Sequence, residues 1–180
     1  YRGHGNWAPI MGVGYYEPVT QWSKGEYQSA NNQEDDLVKI QQYGPAYRPD
    51  DHGNSISSAT PMQGVSFSLF GNIERSTDVD FFSFETGGGP ATFTVTPVPA
   101  GPNLHVLLSL YNSSGGLVAS ANPADTTAGV QPATISTVLS LGAYYLSVDG
   151  VGSGDPLTTG YSDYASLGEY EVSGSVPSGS

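Results

Sequence analysis

Beyond residue 63, apolar and polar side chains alternate along the chain. In five short runs every second residue is apolar, and most of the residues between them are Ser, Thr, Glu or His. The runs are centred on Phe67, Phe93, Leu108, Leu146 and Val172. A period of two is typical of a β-strand that buries one face. The sequence therefore predicts at least five half-buried strands.

Clusters of Gly, Pro, Asn and Ser separate these runs, as expected for turns between short strands. They lie at 87–90, 99–102, 112–116 and 140–142. The composition agrees, since 24 Gly and 13 Pro among 180 residues favour many turns and few long helices. We therefore predict a mainly β protein: an antiparallel β-sandwich or jelly roll of about eight strands, rather than a closed barrel.

A further run, residues 78–85, joins carboxylates to aromatic side chains. Phe81, Phe82 and Phe84 suit a half-buried strand. Asp78 and Asp80, at the start of the run, instead need a turn, a polar environment or a cation. We predict a core strand here, with the two aspartates as turn residues or metal ligands.

The N-terminal quarter lacks this alternation, and its first part is glycine-rich and irregular. Two capping-box patterns follow, Ser23 with Glu26 and Asn31 with Glu34, and each predicts a short helix. The second helix should end before Gly44, which is followed by proline.

The chain is thus predicted to divide into three segments. Residues 1–43 form a small irregular and helical unit, and residues 44–58 form a linker rich in Pro, Ser, Asp and Gly. Residues 59–180 form the sandwich. Because the chain starts at Tyr1 rather than Met, we expect it to be a processed or excised piece.

Acidic residues dominate the charge, and they do so unevenly. Residues 1–60 carry four Lys or Arg against seven Asp or Glu, whereas residues 61–180 carry Arg75 alone against ten acids. Nucleic acids and anionic membranes are bound through clustered Lys and Arg. We therefore expect neither as a partner, and the chain has no apolar run long enough for membrane insertion. We expect cations or neutral polymers as partners instead.

Four carboxylates are candidate calcium ligands. Asp50 and Asp51 lie in a polar loop, and Asp78 and Asp80 begin the aromatic strand. Calcium takes several oxygen ligands from flexible loops. The alternative is that these aspartates form turns and are simply solvated. The spacing does not match an EF-hand.

The segment 149–168 between two predicted strands is too long for a hairpin turn, and loops of this length are usually functional or mobile. Tyr161, Asp163 and Tyr164 form a candidate binding loop, because they could present aromatic and carboxylate groups to a sugar or a peptide. The alternative is that the tyrosines fold back onto the edge of the sandwich and anchor the loop.

No catalytic residue is predicted. The chain contains no Cys, no H-E-x-x-H and no G-x-S-x-G, which excludes a thiol nucleophile, a zincin helix and a hydrolase elbow. Its histidines are His4, His52 and His105. The alternation predicts that His105 lies on the exposed face of its strand.

Residues 7–27 and 31–37 resemble the end of a metzincin-type zinc peptidase domain. The resemblance implies that Met11 is the methionine of the methionine turn, the apolar floor beneath three zinc-binding histidines. Their extended H-E-x-x-H motif would lie upstream and is not in this chain, and His4 does not match its context. Zinc is therefore expected only in a longer parent protein.

Residues 59–176 resemble the bacterial pre-peptidase C-terminal domain. The matching stretches are 78–84, 104–115 and 144–150. The resemblance implies a β-sandwich appended to a secreted, extracellular peptidase and in some members stabilised by calcium. It also implies that the domain assists binding to insoluble protein or polysaccharide, or is removed during maturation.

Two functional hypotheses follow. The first is the non-catalytic C-terminal part of a secreted metallopeptidase-like protein, in which this chain alone does not hydrolyse peptides. The second is a free-standing extracellular carbohydrate-binding or adhesion module, in which residues 1–43 serve only for packing.

Overall fold

The computed structural model describes residues 1–179, which form a β-sandwich of a five-stranded and a four-stranded sheet. The five-stranded sheet has the order β3-β5-β10-β7-β8, and the four-stranded sheet has the order β4-β11-β6-β9. The strand bounds are β3 Thr60–Pro61, β4 Ser66–Ile73, β5 Val79–Thr86, β6 Gly89–Pro97, β7 Val106–Asn112, β8 Leu117–Ala121, β9 Ala133–Leu139, β10 Gly142–Gly150 and β11 Gly168–Ser175. The predicted sandwich is confirmed.

Strand pairing within both sheets is antiparallel, except where the two-residue β3 runs parallel to β5. The two central strands, β10 and β11, are also among the most regular. Leu146 of β10 lies opposite Phe82 on one side and Leu110 on the other, and Val172 of β11 lies between Leu69 and Val95. Apolar side chains thus share the inner faces, as the alternation predicts.

The main core fills the space between the sheets. Its largest fully buried side chains include Phe82, Phe93, Leu108, Leu146 and Tyr170. Burying a side chain of this size stabilises a fold by roughly 1.5–3 kcal/mol, so this cluster accounts for the pairing of the two sheets without a disulfide.

The N-terminal part contains a two-stranded parallel sheet, formed by β1 (Trp7–Pro9) and β2 (Val19–Gln21), and one α-helix, α1 (Asp36–Tyr43). The helix predicted from Ser23 and Glu26 is absent from the described residues, so that prediction was wrong. Gly25 has φ +81°, a left-handed conformation that a helix does not allow. The Glu26 carboxylate accepts the Lys24 N–H at 2.7 Å instead of capping a helix.

The second predicted helix exists but begins later than expected. Asp35, not Asn31, is its N-cap, and its carboxylate accepts the Val38 N–H at 2.9 Å. Such a bond satisfies one of the free N–H groups of the first turn. The helix ends at Tyr43 before Gly44, as the sequence predicts.

The first 43 residues pack on the loops of the sandwich. Trp7 is buried and donates to Gln21 Oε1 at 2.9 Å, and the Gln21 amide donates to the carbonyl of Asn103 at 2.7 Å. The Trp7 ring also stacks on Tyr161, with the ring centres 6.3 Å apart. In the segment 44–58, Arg48 forms an ion pair with Glu169 of β11. Both N-terminal segments therefore lie against the sandwich.

Within residues 1–179, no helix is both long enough and apolar enough to span a membrane.

Candidate functional site

Three of the four predicted calcium ligands meet at one end of the sandwich. Asp50, Asp78 and Asp80 each place a carboxylate oxygen within 4.8 Å of the others. Asp50 is exposed, whereas Asp78 and Asp80 are buried, with 5% and 0% exposure. Asp78 lies 28 positions after Asp50 in the chain, so the fold, not local sequence, brings them together.

Short backbone contacts hold the 50–54 loop against β5. Asn54 Oδ1 accepts the Val79 N–H at 2.7 Å, and the Gly53 carbonyl accepts the Phe81 N–H at 3.0 Å. Asp50 in turn accepts the His52 N–H at 3.2 Å and the Asn54 side-chain N–H at 2.7 Å. The loop therefore extends the edge of β5 and places the Asp50 carboxylate beside the start of that strand.

Two carboxylate oxygens in this cluster are buried and unpartnered. Asp78 Oδ2 accepts the Glu74 N–H at 3.2 Å, and Asp80 Oδ2 accepts the hydroxyl of Tyr170. Oδ1 of each aspartate has no hydrogen-bond partner among the described residues. A buried oxygen without a partner costs about 1–3 kcal/mol, and more when the group is charged. These two oxygens are therefore available to a cation or to bound water.

The electrostatics of the cluster disfavour its negative charge. The pKa of Asp80 is raised to about 8, mainly by burial and also by the carboxylates of Asp78, Asp51 and Glu74, against the lowering effect of the Tyr170 hydroxyl. Burial likewise raises the pKa of Asp78. A cation among these groups would stabilise the ionised forms and release protons on binding.

Asp51 and Glu74 surround the three central carboxylates. Asp51, a predicted ligand, is exposed and lies outside the group of oxygens within 4.8 Å, although its charge acts on Asp78 and Asp80. Glu74 is buried, and burial raises its pKa to about 7. Sequence reasoning missed Glu74. Glu74 directly follows β4 and lies four residues before Asp78, across a tight turn. This position could have indicated Glu74 as a member of the acidic cluster.

The candidate binding loop folds inward at its two tyrosines. Tyr161 and Tyr164 are 3% and 8% exposed, whereas Asp163 is exposed. The Tyr164 hydroxyl donates to Asp35 and accepts the Leu37 N–H at 3.1 Å. The two rings are therefore not presented at the surface, and their contacts match the alternative in which they anchor the loop.

His105 is buried rather than exposed, so that expectation was wrong. Its Nδ1 lies 2.9 Å from the Tyr161 hydroxyl, and its Nε2 lies 2.9 Å from the carbonyl of Pro123. Tyr161 also donates to Asp125, whose carboxylate lies 3.6 Å from Nδ1. His105 directly precedes β7, and strand alternation could not show that the loops carrying Pro123 and Tyr161 cover its side chain.

Met11 lies on the turn after β1 and is 72% exposed. Its neighbours Ile10 and Val13 are exposed as well. His4 bonds to the carbonyl of Gly160 and packs beside Trp7. Met11 is therefore accessible in this chain, and His4 serves the packing of the N-terminal segment.

Aromatic side chains lie on the outer face of the five-stranded sheet. Phe81 of β5 and Tyr111 of β7 stack with their ring centres 6.0 Å apart. Phe81 is paired with Ser147 of β10, and Tyr111 is paired with Tyr145 of the same strand. The rings of Phe81, Tyr111 and Tyr145 are partly exposed, and we call this group the aromatic face.

Comparison with known proteins found no family model that matches this chain and no curated protein that matches it. Among solved structures, the chain is similar to the pre-peptidase C-terminal domain of a collagenase from Bacillus anthracis, with 17% sequence identity and a TM-score of 0.47. The match covers 72% of this chain and 99% of the collagenase domain.

Proposed function

We propose that this chain is a non-catalytic β-sandwich module that binds calcium and holds a polymeric substrate for a secreted metallopeptidase. The observation that carries the proposal is the convergence of Asp50, Asp78 and Asp80 around two buried oxygens without partners. Burying carboxylates without partners destabilises the folded state, and a bound cation would offset this destabilisation.

The donor set favours calcium among the common cations. Carboxylate oxygens on a loop and a strand suit calcium, which accepts flexible geometry and water ligands, better than magnesium, which demands a near-ideal octahedron. Zinc in proteins usually has histidine or cysteine ligands. The chain has no cysteine, and both ring nitrogens of nearby His52 are engaged, with Thr60 Oγ1 at 2.9 Å and the Phe70 carbonyl at 3.0 Å.

The aromatic face supports the second part of the proposal, the holding of a polymer. Phe81 and Tyr111 expose flat ring area on a rigid sheet, and such surfaces stack on sugar rings or on the apolar side chains of a protein fibre. Phe81 directly follows Asp80, so the cation would stiffen the strand that carries the face. Insoluble protein and polysaccharide are the proposed partners.

The peptidase link and the extracellular location are proposals supported by the sequence resemblances. The methionine-turn resemblance implies that Met11 belongs to the end of a zinc peptidase domain, and its exposure in this chain is consistent with a missing remainder of that domain. Zinc would belong to that longer parent protein. The coding sequence upstream of Tyr1 tests this link: an extended H-E-x-x-H motif supports it, and an unrelated sequence overturns it.

The alternative is a free-standing carbohydrate-binding or adhesion module. The close packing of residues 1–43 on the sandwich favours it, because Trp7 and Tyr164 make that segment part of the same folded body. Under this alternative the cation site and the aromatic face keep their roles, but no peptidase domain precedes them.

Sedimentation with insoluble collagen, chitin and cellulose tests the holding of a polymer. The wild-type chain should co-sediment with at least one of them in calcium. The double variant Phe81→Ala/Tyr111→Ala should stay in solution. A matched control, Tyr15→Ala/Tyr16→Ala, removes two rings that are 91% and 74% exposed elsewhere on the surface and should still bind. Equal binding by both double variants would exclude the aromatic face.

A further inference from the structure

The outer edge of β5 is paired as far as Ser83 and again beyond the strand at Gly87, and it is open at Glu85. Near its start, the Phe81 N–H donates to the Gly53 carbonyl at 3.0 Å, and the Ser83 carbonyl accepts the Met62 N–H at 2.8 Å. Beyond its end, the Gly87 N–H donates to the carbonyl of Pro177 at 3.0 Å. These contacts show that odd-numbered residues of this segment direct their backbone polar groups away from β10.

Glu85 falls in the gap between these paired positions. Backbone groups alternate in direction along an antiparallel strand, so the N–H and C=O of Glu85 also point to the open edge. Among residues 1–179, no hydrogen bond to either group is formed from that side. An unpaired strand edge is a ready template for another strand.

The gap follows from the local sequence. The strand β3 ends at Pro61, which has no N–H and cannot extend the pairing. Gly64 then turns the chain away with φ +88°. On the other side, the C-terminal segment bonds the edge at Pro177, and Ser178 and Gly179 line the groove beyond it without a hydrogen bond to Glu85. The partner strand is therefore missing over the residues between Ser83 and Gly87.

A groove of about 540 Å³ lies along this gap. Apolar side chains from the five-stranded sheet and from the segments beside it line the groove, including Phe84, Tyr144, Met62 and Pro177. The Glu85 carboxylate stands at its rim and is exposed. A groove that offers backbone donors and acceptors together with apolar walls is the recognition surface for an added strand.

We propose that an extended peptide with a basic side chain binds here as an additional strand beside β5. Its backbone would bond the N–H and C=O of Glu85, and its apolar side chains would enter the groove. Its Lys or Arg would lie near the Glu85 carboxylate. The charge favours such a peptide, because residues 61–180 carry Arg75 as their only Lys or Arg, against ten acids.

The groove at Glu85 shares no residue with the calcium site. Of the aromatic face, only Tyr145 lines the groove, whereas Phe81 and Tyr111 do not. Failure of the polymer-binding proposal therefore leaves this one intact, and the reverse also holds.

The test uses the whole chain labelled with ¹⁵N and the probe acetyl-Thr-Val-Lys-Val-Thr-amide. The peptide should bind saturably, shift the amide resonances around Glu85, and slow the hydrogen exchange of the Glu85 amide. The same peptide with its three central nitrogens methylated cannot pair as a strand, and its affinity should fall at least roughly tenfold. Equal binding of the two peptides, or no saturable binding of the first, would overturn the proposal.

Glu85→Pro and Glu85→Ala form a matched pair of variants. Proline removes the edge-facing N–H yet keeps the bonds to β10, since Glu85 makes none there, and proline is tolerated on sheet edges. Glu85→Pro should abolish peptide binding. Glu85→Ala should still bind the peptide and should lose only the affinity that comes from the contact between the Glu85 carboxylate and the peptide's basic side chain. If Glu85→Pro does not fold, the comparison of the methylated with the unmethylated peptide on wild-type protein tests the proposal. Binding to Glu85→Pro at wild-type strength would contradict the proposal.

Discussion

The hydroxyl of Tyr170, on β11 of one sheet, donates a hydrogen bond to Oδ2 of Asp80, on β5 of the other sheet. Both side chains are fully buried. The bond joins the core of the sandwich to the acidic cluster, because Oδ1 of the same carboxylate is one of the two unpartnered oxygens. Core packing and the candidate cation site thus share one residue.

Tyr170→Phe should lower stability without changing the fold. The substitution keeps the ring in the core but removes the only hydrogen-bond donor to Asp80 among the described residues. Leaving a buried acceptor unsatisfied costs about 1–3 kcal/mol, and urea unfolding followed by tryptophan fluorescence measures this. Tyr145→Phe, on the outer face, is the control and should stay within roughly 0.5 kcal/mol of wild type. A similar loss in both variants would contradict this role of the Tyr170 hydroxyl.

Protein freed of metal should lose stability as the pH rises from about 4 to about 8. Burial raises the pKa of Asp80 to about 8 and that of Glu74 to about 7, whereas unfolded carboxyl groups titrate near pH 4. The folded state therefore holds protons that the unfolded state has lost. The stability is fully present below about pH 4 and is lost as the pH passes through the folded pKa values.

Thermal melting in chelator across this pH range measures the effect, and excess calcium should reduce it. Asp80→Asn is the informative variant, because asparagine still accepts the Tyr170 hydrogen bond but never ionises. Its melting temperature in chelator should depend less on pH than that of wild type. A wild-type profile that is flat, or that rises with pH, would contradict the raised pKa values.

Tyr161→Phe should weaken the attachment of the loop before β11. Its hydroxyl donates to Asp125 and lies 2.9 Å from His105 Nδ1, and all three side chains are buried. Removing it leaves the Asp125 carboxylate without that donor, at a cost of about 1–3 kcal/mol. A double-mutant cycle with Asp125→Ala should give a coupling energy of at least about 0.5 kcal/mol. Additive effects would show that the contact contributes nothing to stability.

Trp7→Ala should destabilise the whole chain rather than the N-terminal segment alone. Trp7 is 2% exposed and packs with Val19, Tyr27 and Tyr161, the last of which belongs to the sandwich. Truncating a buried tryptophan costs about 3–5 kcal/mol. Calorimetry should show one transition shifted to lower temperature. Two separate transitions would show that residues 1–43 fold independently.

The alternation of apolar residues was sufficient to predict the sandwich and most of its strands. The same alternation is present in β9, where Ala133, Ile135 and Leu139 are buried, although β9 is not among the predicted strands. The strand β8 gives a weaker signal because most of its residues are exposed. Periodicity reports burial of one face, so the edge strands β4 and β9 show it and the largely exposed β8 does not.

Local patterns failed where distant contacts decide the conformation. The capping pattern of Ser23 and Glu26 was overridden: the backbone N–H of Ser23 bonds to the carboxylate of Asp36 at 2.9 Å, and Gly25 takes a left-handed turn. The burial of His105 depends on two loops that lie 18 and 56 residues later in the chain. Neither effect leaves a signal in the neighbouring sequence.

The acidic site was predictable in part. The residue types of Asp50, Asp78 and Asp80 indicated oxygen ligands for a hard cation, and the structure brings their oxygens together. The burial of Glu74 and the unpartnered oxygens required the fold, because they depend on the turn between β4 and β5 and on Tyr170 from the other sheet.

Calcium titration by calorimetry on metal-free protein tests the central proposal most directly. Wild type should bind calcium and release protons, and at one hundred times the dissociation constant it should gain about 2.7 kcal/mol of stability. Asp78→Asn and Asp80→Asn should bind at least roughly tenfold more weakly, a loss of about 1.4 kcal/mol. Asp163→Asn, an exposed aspartate outside the cluster, should behave as wild type. An unchanged melting temperature and no heat of binding in wild type would contradict the account.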